Sequence, residues 1–448
     1  MSATTSAPTP RSGGRPNAVL AVIVAGAAAS VALWWVDTPA VHGFGAWLTN
    51  AGRITGLLAG YGVVMLVALM ARIPPLERGI GADKLARWHA MGGRYVVSLV
   101  VAHALLIIWG YAITAHTDVV SQTGTLLTNY PDVLMATAGG LLLVLVGIAS
   151  ARAARRRMRY ETWYLLHLYT YLAVALAFSH QFATGADFVA NRSARVAWSA
   201  LYALVGAAVL WYRVAVPIRQ AFRHRLRVET VYAEGRDVVS IVLRGHHLNE
   251  LRAEAGQFFR WRFLTRELWW SSNPYSLSAQ PRGNRLRITV KGLGGHSAAL
   301  GRLRPGTRAF AEGPYGAMTA SRRRRRKVLL IAGGIGITPL RALFEALPGA
   351  PGDVRLIYRA SRPDDVVFRA ELESIARARG ARLHLLTGRR AQLGHDPLSV
   401  QALTANVPDL RDHDVYVCGP DAMAQSVVAA LRAARVPPRQ IHHESFEF

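Results

Sequence analysis

The sequence predicts a six-helix transmembrane bundle followed by a small antiparallel β-barrel and an α/β domain. Its 448 residues suffice for about three domains of ordinary size. Apolar residues make up 51% of the chain and are concentrated before about residue 217, whereas only 18% of all residues are charged. From about residue 222 onward the pattern changes to alternating strands and helices. A purely soluble fold and a disordered chain are therefore both excluded.

Six apolar segments each approach the ~20 residues that cross a hydrocarbon core. They are 17–36, 54–73, 92–113, 131–151, 163–182 and 194–215. We assign 17–217 to the transmembrane region and residues 1–16, rich in Ser, Thr, Pro and Gly, to a disordered tail. Basic residues precede the first segment as in a signal peptide. It ends in Trp34-Trp35 instead of a small-residue cleavage site, which favours a retained helix.

Basic residues are distributed unevenly among the connecting loops. The segments after the second and fourth spans carry Arg72, Arg78, Lys84 and Arg87, and Arg152, Arg155, Arg156, Arg157 and Arg159, respectively. Loops 37–52 and 114–130 contain no Lys or Arg. Because positively charged loops stay in the cytoplasm, we expect a multi-pass protein of the plasma membrane. Both termini, and everything after the sixth span, are then cytoplasmic.

The charge and the cysteine count exclude several partners. The 53 basic and 27 acidic residues leave a net charge of +26, but all except three of the basic residues are Arg, a bias typical of codon composition. We therefore expect no nucleic-acid partner. The single cysteine, Cys418, excludes a disulfide framework and a four-cysteine iron–sulfur cluster. If electrons move through this chain, other cofactors carry them.

Two further domains follow the membrane region. Strand patterns at Arg227–Leu243, Gly256–Phe263 and Leu286–Val290 predict an antiparallel barrel over 222–320. The buried strand Val328–Ala332, a helix at 338–347 and a strand ending at Tyr358 form a βαβ pattern. That pattern places an α/β nucleotide-binding domain over 326–448.

Four histidines mark the third and fifth spans. His89 and His103 are 14 residues apart, about 21 Å of helical rise, and His167 and His180 are 13 apart. Two helices so equipped can hold two haems, with one histidine from each helix on each iron. Thirteen residues on an ideal helix end roughly 140° from the starting face, so the fifth span must be tightened, bent or tilted. The alternative for each histidine is an interfacial ring bonded to a carbonyl or a headgroup.

Two segments of the barrel are typical of a flavin site. In Asn273-Pro274-Tyr275-Ser276-Leu277-Ser278, the Tyr275 ring can pack on an isoalloxazine and the hydroxyls can bond it or its ribityl chain. Lys291-Gly292-Leu293-Gly294-Gly295-His296-Ser297 places glycines and a serine at a helix start, where N–H groups can bind a pyrophosphate. The alternative is an ordinary glycine-rich loop with a serine N-cap.

Two glycine motifs in the α/β domain indicate a dinucleotide site. Gly333-Gly334-Ile335-Gly336-Ile337-Thr338-Pro339 directly follows a buried strand, although it is not the G-x-G-x-x-G pattern. Cys418-Gly419-Pro420 follows the last strand and places a small polarizable side chain at the ligand-binding edge of the sheet. Alternatively, Cys418 is simply a small buried hydrophobic residue.

On these motifs, the cytoplasmic half resembles the ferredoxin–NADP reductase superfamily. The membrane half resembles the ferric reductase/NADPH oxidase transmembrane domain, including its paired histidine spacings. The resemblance implies haem pairs His89–His167 on the cytoplasmic side and His103–His180 on the outer side. It implies FAD on Tyr275, Ser276, Lys291 and Gly295–Ser297, flanked by Asn273 and Pro274. It implies NAD(P)H on Gly333, Gly334, Gly336, Thr338, Cys418 and Gly419.

Asn273 departs from the family pattern, and two terminal aromatic residues compete for the role of stacking on the flavin. Relatives carry Arg or His where this chain has Asn273. The chain ends in Glu444-Ser445-Phe446-Glu447-Phe448, and a Glu-x-Phe near the terminus matches the flavin-stacking aromatic of the family. Phe446 fits that alignment, and Phe448 competes for the role. We expect the terminal aromatic to gate access of the nicotinamide to the flavin.

The region after Tyr358 predicts a preference for NADPH over NADH. Arg359 and Arg362 follow the strand where an adenosine ribose lies in such folds, and paired Arg donors suit a 2′-phosphate. Asp364 and Asp365 are the nearby acidic residues that would favour NADH instead.

The predicted function is a transmembrane oxidoreductase that passes electrons from cytoplasmic NAD(P)H through FAD and two b-type haems to an extracytoplasmic acceptor. The outer loops are too short for a folded substrate domain, so the acceptor is a small oxidant, dioxygen or a ferric complex. Outer polar groups that can attract a ferric complex are His42, His116, Asp118, Asp132 and Asp187. The alternatives are a membrane-anchored, haem-free flavin reductase serving a cytoplasmic partner, and a non-enzymatic transporter with a regulatory nucleotide domain.

Overall fold

The computed structural model describes residues 15–38, 40–155, 157–158, 160–189, 191–388 and 396–443. The chain divides into two compact units. The helical unit comprises Gly13–Leu76 and Lys84–Val214, and the mixed unit comprises mainly Ala215–Phe448.

Helices account for almost all of the described residues before Ala215. They are α1 (Arg15–Val36), α2 (Phe44–Leu69), α3 (Pro74–Ile80), α4 (Ala82–Thr114), α5 (Val119–Asn129), α6 (Val133–Ser150), α7 (Arg152–Arg155), α8 (Tyr160–Leu176), α9 (His180–Ala183), α10 (Ala186–Val189) and α11 (Arg192–Leu210). A turn of π-helix, Trp211–Ala215, joins α11 to α12 (Val216–His224).

Five described helices are long and apolar enough to cross a membrane. They are Pro16–Val36, Phe44–Leu69, Lys84–Thr114, Val133–Ser150 and Arg192–His224. The predicted second span, 54–73, is shifted: α2 begins at Phe44. Its first turns carry polar side chains that bond back to the helix, as the Asn50 amide does to the Ala46 carbonyl at 2.9 Å, so this segment is helical despite its polarity.

The predicted fifth span, 163–182, is not one continuous helix. α8 ends at Leu176 after 17 residues, and α9 begins only at His180. The N–H of Phe178 donates to the carbonyl of Ala175, three residues back, at 3.3 Å. The local distortion that the histidine spacing requires is therefore confirmed, whereas a sixth membrane crossing stays a prediction.

The mixed unit contains three sheets. Its strands are β1 (Arg227–Gly235), β2 (Val238–Arg244), β3 (Phe258–Phe263), β4 (Asn273–Ser276), β5 (Arg285–Lys291), β6 (Ala309–Tyr315), β7 (Lys327–Gly333), β8 (Val354–Ala360), β9 (Arg382–Thr387), β10 (His413–Cys418) and β11 (Ile441–His443). Two antiparallel sheets have the orders β1-β2-β5 and β4-β3-β6. Alternate residues of β5, Leu286, Ile288 and Val290, enter the core that both sheets share.

A five-stranded parallel sheet, β11-β10-β7-β8-β9, forms the rest of the mixed unit. The helices of the mixed unit that follow β5 are α13 (Gly295–Ala299), which packs near the antiparallel sheets, and α14 (Ile337–Ala346), α15 (Arg369–Arg379), α16 (Val400–Asn406) and α17 (Asp421–Ala433). Residues Val328–Gly333 of β7 are buried without exception, as expected for a parallel strand covered on both faces. The carboxyl ends of β7 and β10 lie side by side, which is where open α/β sheets bind ligands.

A buried ionic cluster joins the antiparallel sheets to the α/β domain. Arg287 of β5 donates two hydrogen bonds to the Glu371 carboxylate of α15, at 2.7 and 2.9 Å, and Arg341 of α14 donates a third at 2.8 Å. The two arginine side chains are only 11% and 9% exposed. Burial raises the pKa of the Glu371 carboxyl, but the two guanidinium groups outweigh it and hold that pKa below its ordinary value.

Glu371→Gln is expected to lower the free energy of unfolding of the mixed unit by about 2 kcal/mol, because it leaves the buried Arg287 guanidinium without its carboxylate and Arg341 with Glu345 alone. Denaturant unfolding monitored by tryptophan fluorescence measures the change. Since the pKa of Glu371 is depressed in the folded state, its stabilising contribution is present above pH ~4.3 and declines as the pH falls below it. Glu373→Gln, on the same helix, is the control, and an equal loss in both variants would contradict the assignment.

Candidate functional site

Four histidines of the helical unit form two pairs. His89 and His103 lie on α4, His167 lies on α8, and His180 is the first residue of α9. The ring centroids of His89 and His167 are 5.8 Å apart, and those of His103 and His180 are 6.4 Å apart. The rings are thus paired as the resemblance implies. Because α8 and α9 are separate helices, both of their rings can face partners on the single helix α4.

The separation of the paired rings fits a metal ion between them. With metal–nitrogen bonds of about 2 Å on both sides, the centroids of two imidazoles lie about 6 Å apart. Three rings place Nδ1 against a backbone carbonyl: His89 at Leu66 (3.0 Å), His103 at Gly52 (2.8 Å) and His180 at Ala177 (2.5 Å). A proton on Nδ1 leaves the lone pair on Nε2, the form in which imidazole binds a metal.

The protein side chains alone do not complete a metal site. Within the described ranges of the chain, no three His, Cys, Asp or Glu side chains are grouped as ligands. Two imidazoles leave an iron ion short of ligands, whereas the four nitrogens of a porphyrin complete six-coordinate iron. The paired histidines therefore fit haem better than a bare metal ion.

Glycines of α2 let this helix approach α4 closely. A Cβ atom at Gly56 would lie 2.6 Å from His103 Nδ1, and one at Gly52 would lie 2.8 Å from the Ile107 side chain. Gly52 also supplies the carbonyl that His103 contacts. Sequence analysis missed both glycines. Their spacing of four residues, which places them on one helix face, is the signal that would have found them.

Tyr275 lies at the centre of the predicted flavin segment. In the register of β3 and β4, Tyr275 is opposite Phe259 and Ser276 is opposite Phe258. The indole Nε1 of Trp261 donates to the Tyr275 carbonyl at 3.1 Å, which anchors the strand. Burial raises the pKa of the Tyr275 phenol, so the ring is neutral at physiological pH. A neutral aromatic ring on a well-held strand is suited to packing against a planar cofactor.

Asn273 connects the two predicted flavin segments. Its side-chain nitrogen lies 3.0 Å from Nδ1 of His296 and donates to the Ser271 hydroxyl at 3.1 Å. The residue that departs from the family pattern thus contacts the glycine-rich loop. Its sequence neighbours carried no signal for this contact, because 23 positions separate it from His296.

The glycine-rich loop is closed by a serine. The Ser297 hydroxyl accepts from the Leu293 N–H at 2.9 Å and donates to the Gly294 carbonyl at 3.0 Å. Gly294 and Gly295 both have positive φ, 107° and 49°, which glycine adopts without a steric penalty. The predicted contact of Ser297 with a pyrophosphate therefore has to come from the backbone of this loop or from a rearranged hydroxyl.

The first dinucleotide motif forms a strand–turn–helix. β7 ends at Gly333, a 3₁₀ turn covers Gly334–Gly336, and α14 begins at Ile337. Gly334 has φ +53°, a left-handed conformation that favours glycine. The Thr338 hydroxyl donates to the Ile335 carbonyl at 3.0 Å, which fixes the turn. The start of α14 is a helix N-terminus, the part of a helix that favours a phosphate.

The second dinucleotide motif packs directly on the first. A Cβ atom at Gly336 would lie within 2.6 Å of the Gly419 backbone nitrogen and would also meet the Cys418 carbonyl. Cys418 is completely buried at the end of β10. The two glycine motifs, separated by some 80 residues, therefore meet at one sheet edge.

A cleft of about 680 Å³ opens at this edge. Predicted site residues that line it are Lys291, Gly333, Gly334 and Arg359, and residues that the prediction missed are Arg236, Asp396 and Met423. Lys291 and Arg236 come from the antiparallel sheets, whereas the glycines come from the α/β domain. The cleft is therefore lined by both parts of the mixed unit, but Tyr275 and Ser276 of the predicted flavin segment are not among its described lining residues.

The two arginines predicted to favour NADPH have different environments. Arg359 is half-buried, lines the cleft, and donates to the carbonyls of Ala360, Leu386 and Gly388. Arg362 is exposed and does not line the cleft. Asp364 and Asp365 do line it. Both the basic and the acidic candidates are thus at the cleft, with Arg359 the better placed arginine.

The predicted flavin-stacking residues Phe446 and Phe448 lie outside the described residues. The strand before them, β11, runs parallel to β10. The carboxyl end of β11 therefore lies at the same sheet edge as Cys418.

Asp187, expected to be an outer polar group, is buried and forms an ion pair with Arg53 at 2.5 Å. It is therefore not available to attract a ferric complex.

Comparisons with known families cover both units. A family described as ferric reductase like transmembrane component matches residues 55–178. A family described as oxidoreductase NAD-binding domain matches residues 330–429.

Individual relatives match mainly one part of the chain. Ferredoxin–NADP reductase B of Sorangium cellulosum is 30% identical over 189 residues, which cover 39% of this chain and 77% of that protein. A flavohemoprotein of Xylella fastidiosa (strain Temecula1) is 26% identical over 202 residues, covering 43% of this chain and 51% of that protein, so the chain spans about half of its length. The flavohem-like FAD/NAD-binding domain of nitric oxide dioxygenase from Vibrio cholerae O1 biovar El Tor is 23% identical, covers 49% of this chain and 98% of its own, and has a TM-score of 0.40.

Proposed function

Because the chain belongs to the ferredoxin–NADP reductase family and also carries a ferric reductase-like transmembrane domain, we propose that it is a transmembrane oxidoreductase. Electrons pass from NAD(P)H, through FAD and two b-type haems, to a small extracytoplasmic oxidant, dioxygen or a ferric complex. The observation that carries the proposal is the pairing of four imidazoles, at 5.8 and 6.4 Å, in the same chain as the nucleotide cleft.

The chain's residues hold and orient the redox groups, whose chemistry is their own. When bound, FAD would supply the conversion of a hydride into single electrons, and the haems would supply one-electron carriers. His89 with His167, and His103 with His180, would hold the two irons. The carbonyls of Leu66 and Gly52 keep the α4 imidazoles protonated on Nδ1, so that Nε2 faces the metal.

In the mixed unit, Tyr275 supports the flavin ring on one face. The glycine turn after β7 brings backbone N–H groups to the dinucleotide phosphates. Cys418 is buried beside that turn and supports Gly336, so it holds in place the sheet edge to which we assign the nicotinamide. We assign the opposite face of the flavin to Phe446, with Phe448 as the competing aromatic.

The membrane location follows from the five apolar helices, and we propose the plasma membrane with both termini cytoplasmic. In that orientation the His89–His167 pair is nearer the cytoplasm and the His103–His180 pair is nearer the outside. A haem-free flavin reductase would leave the matched imidazole pairs without a role.

Purified full-length protein in detergent is expected to contain about two b-type haems per chain and to oxidise NAD(P)H when dioxygen or a ferric chelate is supplied separately. If two imidazoles hold each iron, no iron position would be open to an acceptor, and either acceptor would be reduced without binding iron. Cyanide is therefore expected to inhibit only weakly and to leave the absorbance spectrum unchanged. A haem-free preparation would refute the proposal, and a cyanide-induced spectral change would show that one histidine is not a ligand.

Arg359→Ala is expected to raise KM for NADPH about tenfold more than KM for NADH, because a charge-assisted contact with the 2′-phosphate contributes about 1.5 kcal/mol or more. Steady-state kinetics with both nucleotides measure the ratio. Arg359 also bonds the ends of β8 and β9, so a general loss affects both nucleotides and cancels in the ratio. Arg362→Ala is the matched control at an exposed position. Equal effects of Arg359→Ala on the two nucleotides would contradict a role for Arg359 in NADPH preference.

A further inference from the structure

The four paired histidines differ in what their second ring nitrogen contacts. Three of them place Nδ1 against a backbone carbonyl at 2.5–3.0 Å. The exception is His167, whose Nδ1 lies 3.3 Å from the Ser150 hydroxyl, at the last residue of α6. Both Nδ1 contacts of the His103–His180 pair are thus with carbonyls, whereas the His89–His167 pair has one carbonyl and one longer hydroxyl contact.

The Ser150 oxygen is shared with a second donor. The indole Nε1 of Trp163 donates to it at 3.2 Å. If His167 binds iron through Nε2, its Nδ1 carries the proton and also donates to Ser150. One hydroxyl oxygen then accepts two N–H bonds, which makes it a weaker acceptor for His167 than a backbone carbonyl is.

The Trp163 indole stacks on the His167 imidazole, and the Arg155 guanidinium lies over the indole. The Trp163 ring lies parallel to the His167 ring, with centroids 5.2 Å apart and an interplanar angle of 26°. Arg155 lies on the basic segment after α6, and its guanidinium carbon is 4.4 Å from the Trp163 ring centroid. No corresponding arginine–indole–imidazole stack is found at the other three histidines in the described part of the chain.

Both features act on the redox state of a bound iron in the same direction. A strong acceptor at Nδ1 makes the imidazole more electron-rich and favours the oxidised iron, so the weaker acceptor Ser150 leaves the reduced iron more favoured than a backbone carbonyl would. A nearby cation also favours the reduced state, which carries one negative charge more.

We propose that Trp163 and Arg155 are positioning residues that act through His167 to raise the midpoint potential of the haem held by His89 and His167, without affecting the other haem. Ser150, the acceptor for His167 Nδ1, lowers that potential, but by less than a backbone carbonyl would. This inference rests on the proposed function, because it requires that the two histidine pairs bind haem. It assigns the two haems distinct potentials set by different second contacts of their ligands.

Spectroelectrochemistry of the full-length protein in nanodiscs of neutral lipid tests the proposal, since it reads the potential of each haem without turnover. Arg155→Gln is expected to lower one potential by at least about 28 mV, a threefold change in the reduction equilibrium at 59 mV per tenfold. Trp163→Phe removes the competing donor and the indole, and shifts the same haem in the same direction. Ser150→Ala removes the acceptor and shifts it upward, whereas Ser150→Thr retains the hydroxyl and restores the wild-type value.

Matched controls distinguish this role from a structural one. Arg157→Gln removes an exposed charge from the same segment, and Thr137→Ala removes a hydroxyl from the same helix as Ser150. Neither is expected to shift a potential. Shifts of opposite sign for Ser150→Ala and Arg155→Gln, confined to one haem, support the proposal. No shift, equal shifts in both haems, or shifts matched by the controls would overturn it.

The absorbance spectrum of the wild-type protein tests the proposed function before any variant is compared. If the wild-type protein binds no haem, the spectrum lacks b-type bands and the proposed function itself is wrong. If the wild type binds two haems and the variant potentials do not move, only the present inference is wrong. Should Ser150→Ala lose haem, the comparison of Arg155→Gln with Arg157→Gln decides, because both residues are exposed.

Discussion

His103→Leu or His180→Leu is expected to reduce the haem content of the purified protein from about two to about one per chain. Each substitution removes one of the two histidines that would hold the same iron, and leucine offers no lone pair in its place. The pyridine haemochrome assay gives the haem-to-protein ratio directly. Electron transfer to the external acceptor is expected to be lost, because the path then ends at the remaining haem.

Reduction of FAD by NAD(P)H is expected to be unaffected in both variants, since the mixed unit contains neither histidine. Anaerobic bleaching of the flavin absorbance provides this second measurement. His42→Leu, which replaces an exposed histidine of the same unit, is the control and keeps both haems. Full haem content in His103→Leu or His180→Leu would show that these residues are not ligands.

Gly336→Val is expected to slow NAD(P)H-dependent flavin reduction on the order of 100-fold, the size of effect that a displacement of about 1 Å in a reacting group produces. A Cβ at this position meets the backbone of Cys418 and Gly419, the latter within 2.6 Å. Backbone atoms in a buried strand end cannot move aside as a flexible side chain can. The first turn of α14 must therefore shift away from β10 and carry its phosphate-facing N–H groups with it.

Stopped-flow measurement of flavin bleaching separates this defect from later steps, because haem reduction by dithionite does not depend on the nucleotide. Gly301→Ala is the matched control: a Cβ there makes only an ordinary contact, 3.6 Å from the Val239 side chain. A wild-type rate in Gly336→Val would mean that the turn after β7 does not position the nucleotide.

Most of the architecture could be predicted from local patterns in the sequence. Apolar runs of about 20 residues mark membrane helices because their length must match the bilayer. The glycine turn at Gly333–Gly336 was recognisable because the preceding strand is buried and continuous. The two similar histidine spacings indicated that two helices could hold two haems, and the family resemblance implied the pairing of His89 with His167 and of His103 with His180. Each of these signals is contained within a single element or repeated in two.

The bounds of the second and fifth spans could not be predicted in the same way. α2 begins ten residues before the apolar run, since its polar side chains are satisfied by bonds to the helix backbone. The spacing of His167 and His180 required the fifth span to be tightened, bent or tilted, but it predicted neither a break nor its position at 177–179. Hydropathy is averaged over a whole segment. It therefore does not show where a backbone N–H bonds to the carbonyl three residues back instead of four.

The sequence by itself determined which residues can do chemistry: the four histidines, Tyr275, and the two glycine motifs. Only the tertiary structure decided what holds them: the Leu66 and Gly52 carbonyls on the α4 imidazoles, Ser150 and Trp163 on His167, and Asn273 on His296. The physical reason is that these partners are backbone carbonyls or side chains distant along the chain. A carbonyl is present at every residue, so no residue type marks the one that a buried imidazole selects, and the selection is made when helices pack.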